Sequence, residues 1–145
     1  MKTLLFLCTG NYYRSRYAEE LFNHAAGRAG LAWRAFSRGL AIERGMSNVG
    51  PLSPFALQAL EERGLVPQAG DRFPQQCSPS DLEAASHIVA LYESEHRPLM
   101  RERFSVWEDR IEYRQVADIE IVPPKVALRA IDHQINDLLS RLRPS

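Results

Sequence analysis

Cys8 and Arg14 stand with five residues between them, Thr9-Gly10-Asn11-Tyr12-Tyr13, and Ser15 follows directly. A thiol, a guanidinium and a hydroxyl on one short segment are the parts needed to grip an oxyanion and attack it. If the segment joins a strand to a helix, N–H groups freed at the helix start point into the loop and the helix dipole adds partial positive charge. Gly10 and Asn11 are the residue types that tolerate the left-handed backbone such a nest requires. The same surroundings favour the thiolate, the form in which sulfur is a nucleophile. Phosphate is the natural guest, with Cys8 as nucleophile, Arg14 as a planar fork for two phosphate oxygens, and Thr9 to Ser15 as the phosphate-binding loop.

The flanking sequence supplies the strand and the helix. Leu4-Leu5-Phe6-Leu7 is uniformly apolar, as in a strand buried on both faces of a parallel sheet. From Arg14, apolar residues recur at Tyr17, Leu21, Phe22 and Ala25 with helical spacing, and Gly27 and Gly30 are expected stops. Further strands are expected at Trp33 to Ser37, His87 to Tyr92 and Glu112 to Val116. Ser53-Pro54 opens a helix that Gly64 closes, and Ser78-Pro79-Ser80-Asp81 opens a short one with a capping box. A helix from Ser94 to Phe104 tolerates Pro98 only near its first turn. Pro123-Pro124 starts the last helix, whose stripe Leu128, Ile131, Ile135, Leu138, Leu142 reads as core packing. Alternation of strand and helix predicts a four-stranded parallel α/β sheet with helices on both faces, and a ligand site at the carboxyl ends of the strands, where Cys8 falls.

Length and composition narrow the function classes. The 145 residues suit one domain, 1–145, with 45% hydrophobic and 25% charged residues. Eighteen basic and eighteen acidic side chains cancel, so neither nucleic acid nor an anionic membrane is indicated as a partner, and attraction for an anion must be local. The apolar stretch before Cys8 is too short for a signal sequence and no run approaches the ~20 residues of a membrane span, so a cytoplasmic protein is expected. The cysteines, Cys8 and Cys77, do not read as a disulfide scaffold. His24, His87, His96 and His133 have no metal-ligand spacing, and no metal is expected.

Cys8-Thr-Gly-Asn-x-x-Arg14-Ser15 near the N-terminus, followed by Ala18-Glu19, resembles the signature of the low-molecular-weight protein tyrosine phosphatases. The resemblance spans essentially the whole chain and implies a monomeric, cofactor-free phosphatase acting on phosphorylated proteins, with a tyrosine kinase as a candidate partner. It also implies a mechanism. Cys8 forms a phosphocysteine while an aspartate in a late Val-x-Asp-Pro segment protonates the leaving oxygen and then activates water. Val116-Ala117-Asp118-Ile119 is similar to that segment, making Asp118 the candidate acid and Asp109 its rival.

The chain departs from the family pattern at informative places. Ile119 replaces the proline after the acid, and Tyr13 replaces a second cysteine that in many members protects the first by a vicinal disulfide. Cys77 then reads as either a substitute resolving thiol or an ordinary loop cysteine. Arg16 replaces a proline, as a cation that draws an acidic substrate to the mouth or as a solvated surface arginine. Tyr12 occupies the position that varies with substrate type, and a large aromatic there should wall the pocket and stack on an aryl phosphate, away from the phosphoarginine-specific relatives. Two other readings stand beside the phosphatase. One is an arsenate reductase coupled to a small thiol, since Leu91, Tyr92 and Glu93 occupy the region where the thioredoxin-coupled type keeps its cysteines. The other is a phosphate- or phosphopeptide-binding module with little turnover.

Overall fold

The computed structural model describes residues 1–117 and 122–142. Strands β1 (Lys2–Cys8), β2 (Trp33–Gly39), β3 (His87–Ala90) and β4 (Glu112–Tyr113) form one parallel sheet in the order β2-β1-β3-β4. Between and after them run α1 (Arg14–Ala29), α2 (Pro54–Glu62), α3 (Pro79–Ala84), α4 (Glu93–Arg103) and α5 (Pro124–Leu142). This is the single-domain α/β architecture expected from the alternation of strand and helix.

The apolar run in β1 is explained by cover on both faces. Leu4 and Phe6 join a core with Tyr17 and Phe22 of α1, Leu60 of α2, and Ile131 and Ile135 of α5. Leu5 and Leu7 point the other way, into a second core with Leu82 of α3 and Leu99 and Met100 of α4. Each such side chain contributes roughly 1.5–3 kcal/mol by leaving water. The α5 stripe is core, as its spacing predicts. The β2 edge is blunted by Asn23 of α1, whose amide donates to the Ala35 carbonyl at 3.0 Å and accepts from its N–H at 2.7 Å.

Some boundaries differ from expectation. Helix α1 runs through Gly27 and stops at Gly30, which takes φ 66° and turns its N–H back onto the helix carbonyls. Pro98 lies in the second turn of α4, not the first. The bond it forgoes would have gone to the Ser94 carbonyl on an exposed face, where water can take the acceptor. Strand β3 ends at Ala90 and β4 has two residues, but Leu91 and Val116 stay tied, Val116 N–H donating to the Leu91 carbonyl at 2.7 Å.

Because β2 lies on one side of β1 and β3 on the other, the connections leave the sheet in opposite directions at its centre. That opens a crevice at the carboxyl ends of β1 and β3. Cys8 is the last residue of β1 and borders it.

Candidate active site

Residues 9–13 link β1 directly to α1, so the loop wraps the N-terminus of a buried helix. Of Gly10 and Asn11, the asparagine alone takes the left-handed backbone, at φ 51°. It keeps that strained angle because its side chain is used in full. Oδ1 accepts from the Gln75 N–H at 3.0 Å, which fixes the orientation of the amide. Nδ2 then donates to Ser15 Oγ and to Ser37 Oγ, both at 2.9 Å. Gly39, at the end of β2, permits this packing: a Cβ there would lie 2.9 Å from the Thr9 carbonyl oxygen and 3.1 Å from the Asn11 Cβ.

The network ends on the sulfur. Ser37 donates to Glu19 Oε1 at 2.6 Å, and Arg72 pairs with the same carboxylate through both terminal nitrogens. Cys8 Sγ donates to Ser15 Oγ at 3.0 Å. Since Ser15 Oγ already accepts from Asn11, its own O–H is available to turn toward the sulfur when the thiol proton leaves. Glu19, Ser37, Asn11 and Ser15 thus form a buried chain in which Asn11 donates both ways, toward Ser37 and Glu19 and toward Ser15, leaving the Ser15 hydroxyl as a donor for the Cys8 sulfur.

Arg14 is 2% exposed and is gripped from two sides. Nη1 donates to the Val116 carbonyl at 3.0 Å, and Nη2 pairs with Glu95 Oε2 at 2.7 Å. Glu95, in the first turn of α4, also accepts from the Thr9 hydroxyl. His96 Nδ1 accepts from the Tyr92 N–H at 3.0 Å, so the ring proton sits on Nε2, 2.9 Å from the same carboxylate oxygen. Burial opposes the Glu95 charge, but His96, Arg14 and Thr9 outweigh it and hold the carboxyl well below the usual range. Glu95 and His96 were missed by motif reading. The acidic first turn of α4, Glu93 and Glu95 after β3, is the signal that could have found them.

Above the loop opens a cavity of about 330 Å3, with Cys8, Thr9, Gly10 and Arg14 at its base and Tyr12, Tyr13 and Phe55 among its walls. The expected phosphate-binding residues Thr9 to Ser15 are thereby brought together, with Asn11 and Ser15 buried beneath the surface as supports. Tyr12 walls the pocket as expected, and its hydroxyl donates to the Val49 carbonyl at 2.6 Å. Asp118 lies outside the described residues. Its rival Asp109 does not line the cavity and is an exposed partner of Arg97 at 2.8 Å.

The structure corrects the reading of Arg16 and decides between the two readings of Cys77 in favour of an ordinary cysteine. Arg16 is neither at the mouth nor solvated. It is fully buried and donates to the carbonyl of Pro51, just before α2, and to those of Ala69 and Arg72 in the long loop before α3. Glu20 holds the same loop through the N–H groups of Gln68 and Ala69. Cys77 is buried in the second core and forms no disulfide. Burial, with Asp81 nearby, pushes its thiol up to about 12, unsuited to attack as a resolving thiolate at neutral pH.

A buried cysteine and arginine on one strand-to-helix loop, at the central crevice of a parallel α/β sheet, are laid out to receive an oxyanion. Residues 3–141 match the family model of the low molecular weight phosphotyrosine protein phosphatases, and the chain belongs to that family. It is 29% identical over 108 residues to a protein-arginine-phosphatase of Bacillus subtilis, covering 74% of this chain and 67% of that protein. Its fold superimposes on the low molecular weight protein tyrosine phosphatase of T. tengcongensis with a TM-score of 0.80 at 25% identity, over 98% of this chain and 100% of that one. The Streptococcus pyogenes structure of the same description gives 0.83 at 19% identity, over 100% and 95% of the two chains, a likeness of fold.

Proposed function

We propose that this chain hydrolyses phosphotyrosine in proteins, and other aryl phosphate monoesters, through a phosphocysteine. The observation that carries the reading is the pocket itself: sulfur and guanidinium at the base, aromatic rings of Tyr12, Tyr13 and Phe55 around an opening of aryl-phosphate size. Arg14 holds the equatorial phosphoryl oxygens while Cys8 Sγ attacks phosphorus. The bond from phosphorus to the phenolic oxygen breaks, and that oxygen leaves with the electron pair, taking a proton from Asp118. Water then attacks phosphorus, giving its proton to Asp118, and the sulfur–phosphorus bond breaks to release phosphate and restore Cys8. Support for Asp118 is its place two residues after Val116, whose carbonyl accepts from Arg14.

The test compares wild type, Cys8→Ser and Asp118→Ala on p-nitrophenyl phosphate, a phosphotyrosyl peptide and a phosphoarginyl peptide, without added metal. Cys8→Ser should lose about 10⁴-fold or more in kcat, and Asp118→Ala about 10²–10⁴-fold with inorganic phosphate still bound. Turnover surviving in Cys8→Ser would end the mechanism. Phosphate binding without turnover in wild type would leave a binding module. A second reading, phosphoarginine hydrolysis, is favoured by the name of the Bacillus subtilis relative, and a higher kcat/KM on the phosphoarginyl peptide would put it in place of the tyrosine assignment.

A further inference from the structure

The cavity contains a second cation that the chemistry above does not use. Arg44 lines it together with Gly45, Ser47 and Asn48, on a short 3₁₀ turn, Ile42–Gly45, that follows β2. The turn is fixed to the anion loop, not draped over it. Ala41 N–H donates to the Thr9 carbonyl at 3.0 Å, and Arg44 N–H closes the turn on the Ala41 carbonyl at 3.0 Å. The Asn48 amide fills the space between Gly45 and Gly10.

Among the described residues no carboxylate forms an ion pair with Arg44. The adjacent carboxylate, Glu43, is taken from the other side by Arg103, whose two terminal nitrogens reach its two oxygens at 3.0 and 2.9 Å. That bidentate pair holds the Glu43 carboxyl below its usual range, through the Arg103 hydrogen bonds, and satisfies it in place. Arg44 is exposed and makes no ion pair or side-chain hydrogen bond among the described residues, whereas Arg38, Arg63, Arg72, Arg97, Arg101 and Arg114 all carry carboxylate partners. The rim segment also exposes Met46 and Val49, and Phe55 across the opening is half exposed. An apolar rim bearing one unneutralised arginine suits a polypeptide carrying an acid more than a small free phosphate ester.

We infer that Arg44 is a specificity-determining residue that pairs with the carboxylate of an acidic side chain next to the phosphorylated residue of a peptide substrate. The inference rests on the reading of this cavity as a phosphomonoester site and adds the sequence context it selects. Arg44 takes no part in the phosphoryl transfer, so its signature is a ratio between substrates.

The experiment measures kcat/KM for two phosphotyrosyl peptides that differ only in having glutamates or glutamines beside the phosphotyrosine, in wild type, Arg44→Ala and Arg44→Glu, at low and high sodium chloride. Wild type should favour the acidic peptide by about threefold to tenfold at low salt, with the preference shrinking at high salt. Arg44→Ala should bring the ratio to about one, and Arg44→Glu should invert it. Taking a ratio within each protein cancels any loss of folded fraction. The same ratio read as binding affinity to the Cys8→Ser protein separates this inference from the catalytic one: an acidic preference that depends on Arg44 sustains it even if no turnover is found. No acidic preference in wild type, a preference that survives Arg44→Ala, or an equal loss on both peptides would overturn it.

Discussion

The floor and the rim of the cavity are held by different means. At the floor, nearly every polar group has a committed partner: Asn11 uses its whole amide, and Arg14 is clamped between a backbone carbonyl and a buried carboxylate. At the rim, residues 42–55 are tied near their two ends, by Ala41 N–H to Thr9 and Arg103 to Glu43 on one side and by Arg16 to the Pro51 carbonyl and Ser53 N–H to the Tyr12 carbonyl on the other, while the stretch between, held by the Tyr12 hydroxyl on Val49, exposes Met46 and Val49 to water. A preorganised floor suits a transition state whose geometry is the same for every ester, whereas a lightly tethered rim suits leaving groups that differ. Substitutions beneath the floor should therefore affect kcat on all substrates, and those at the rim should change KM and selectivity.

Among the residues that support the floor without touching the phosphoryl group, the largest effect is expected from Asn11→Ala. It leaves the Gln75 N–H, Ser15 and Ser37 without their shared partner and puts a Cβ-bearing residue with no local hydrogen bond at φ 51°. Stability should fall by about 2–4 kcal/mol in urea unfolding, and kcat by about 10²-fold on every phosphomonoester. A loss confined to one peptide would contradict the separation of floor from rim.

Glu95→Gln should act more mildly and in a pH-dependent way. Losing the charge loosens Arg14, so kcat should fall about tenfold with the inhibition constant of phosphate rising in parallel, while Glu95→Asp restores part of both. The Glu95 carboxyl is held below its unfolded value, so its stabilisation is complete above the unfolded carboxylate range and is lost as pH falls through that range toward the lower folded value. The stability gap between wild type and Glu95→Gln should therefore narrow from pH 7 to pH 3. A constant gap would show that packing, not charge, accounts for Glu95.

The floor and the fold divide in how much of each could be read before any coordinates. Strand, loop and helix around Cys8 were legible because the motif is contiguous and its chemistry local. Both core stripes followed from periodicity. What stayed hidden was contributed from afar: Ser37 from β2, Gln75 from a loop without period, Glu95 from α4. No spacing rule links Glu95 to Arg14 across 81 positions. Arg16 misled because helical phase alone does not reveal that two separate segments, one before α2 and one before α3, fold back over that face of α1 and offer three carbonyls to a buried guanidinium. The attraction for acid that its charge suggested falls instead to Arg44, whose value as a cation depends on Arg103 occupying Glu43.

Tyr12 joins the two regions, and the smallest prediction concerns it. Its backbone belongs to the anion loop, its ring to the wall, and its hydroxyl to the rim through Val49. Tyr12→Phe keeps the ring and removes only the tether. A hydrogen bond of this kind, at a partly solvated edge, contributes about 0.5–1.5 kcal/mol, so the rim should loosen without detaching. The expected result is an unchanged kcat on p-nitrophenyl phosphate and a two- to fivefold rise in KM on a phosphotyrosyl peptide, whose flanking residues must meet the rim. Tyr12→Ala removes the wall as well and should raise KM on both. If Tyr12→Phe instead lowers kcat on the small ester, the hydroxyl is serving the anion loop, and floor and rim are one mechanical unit.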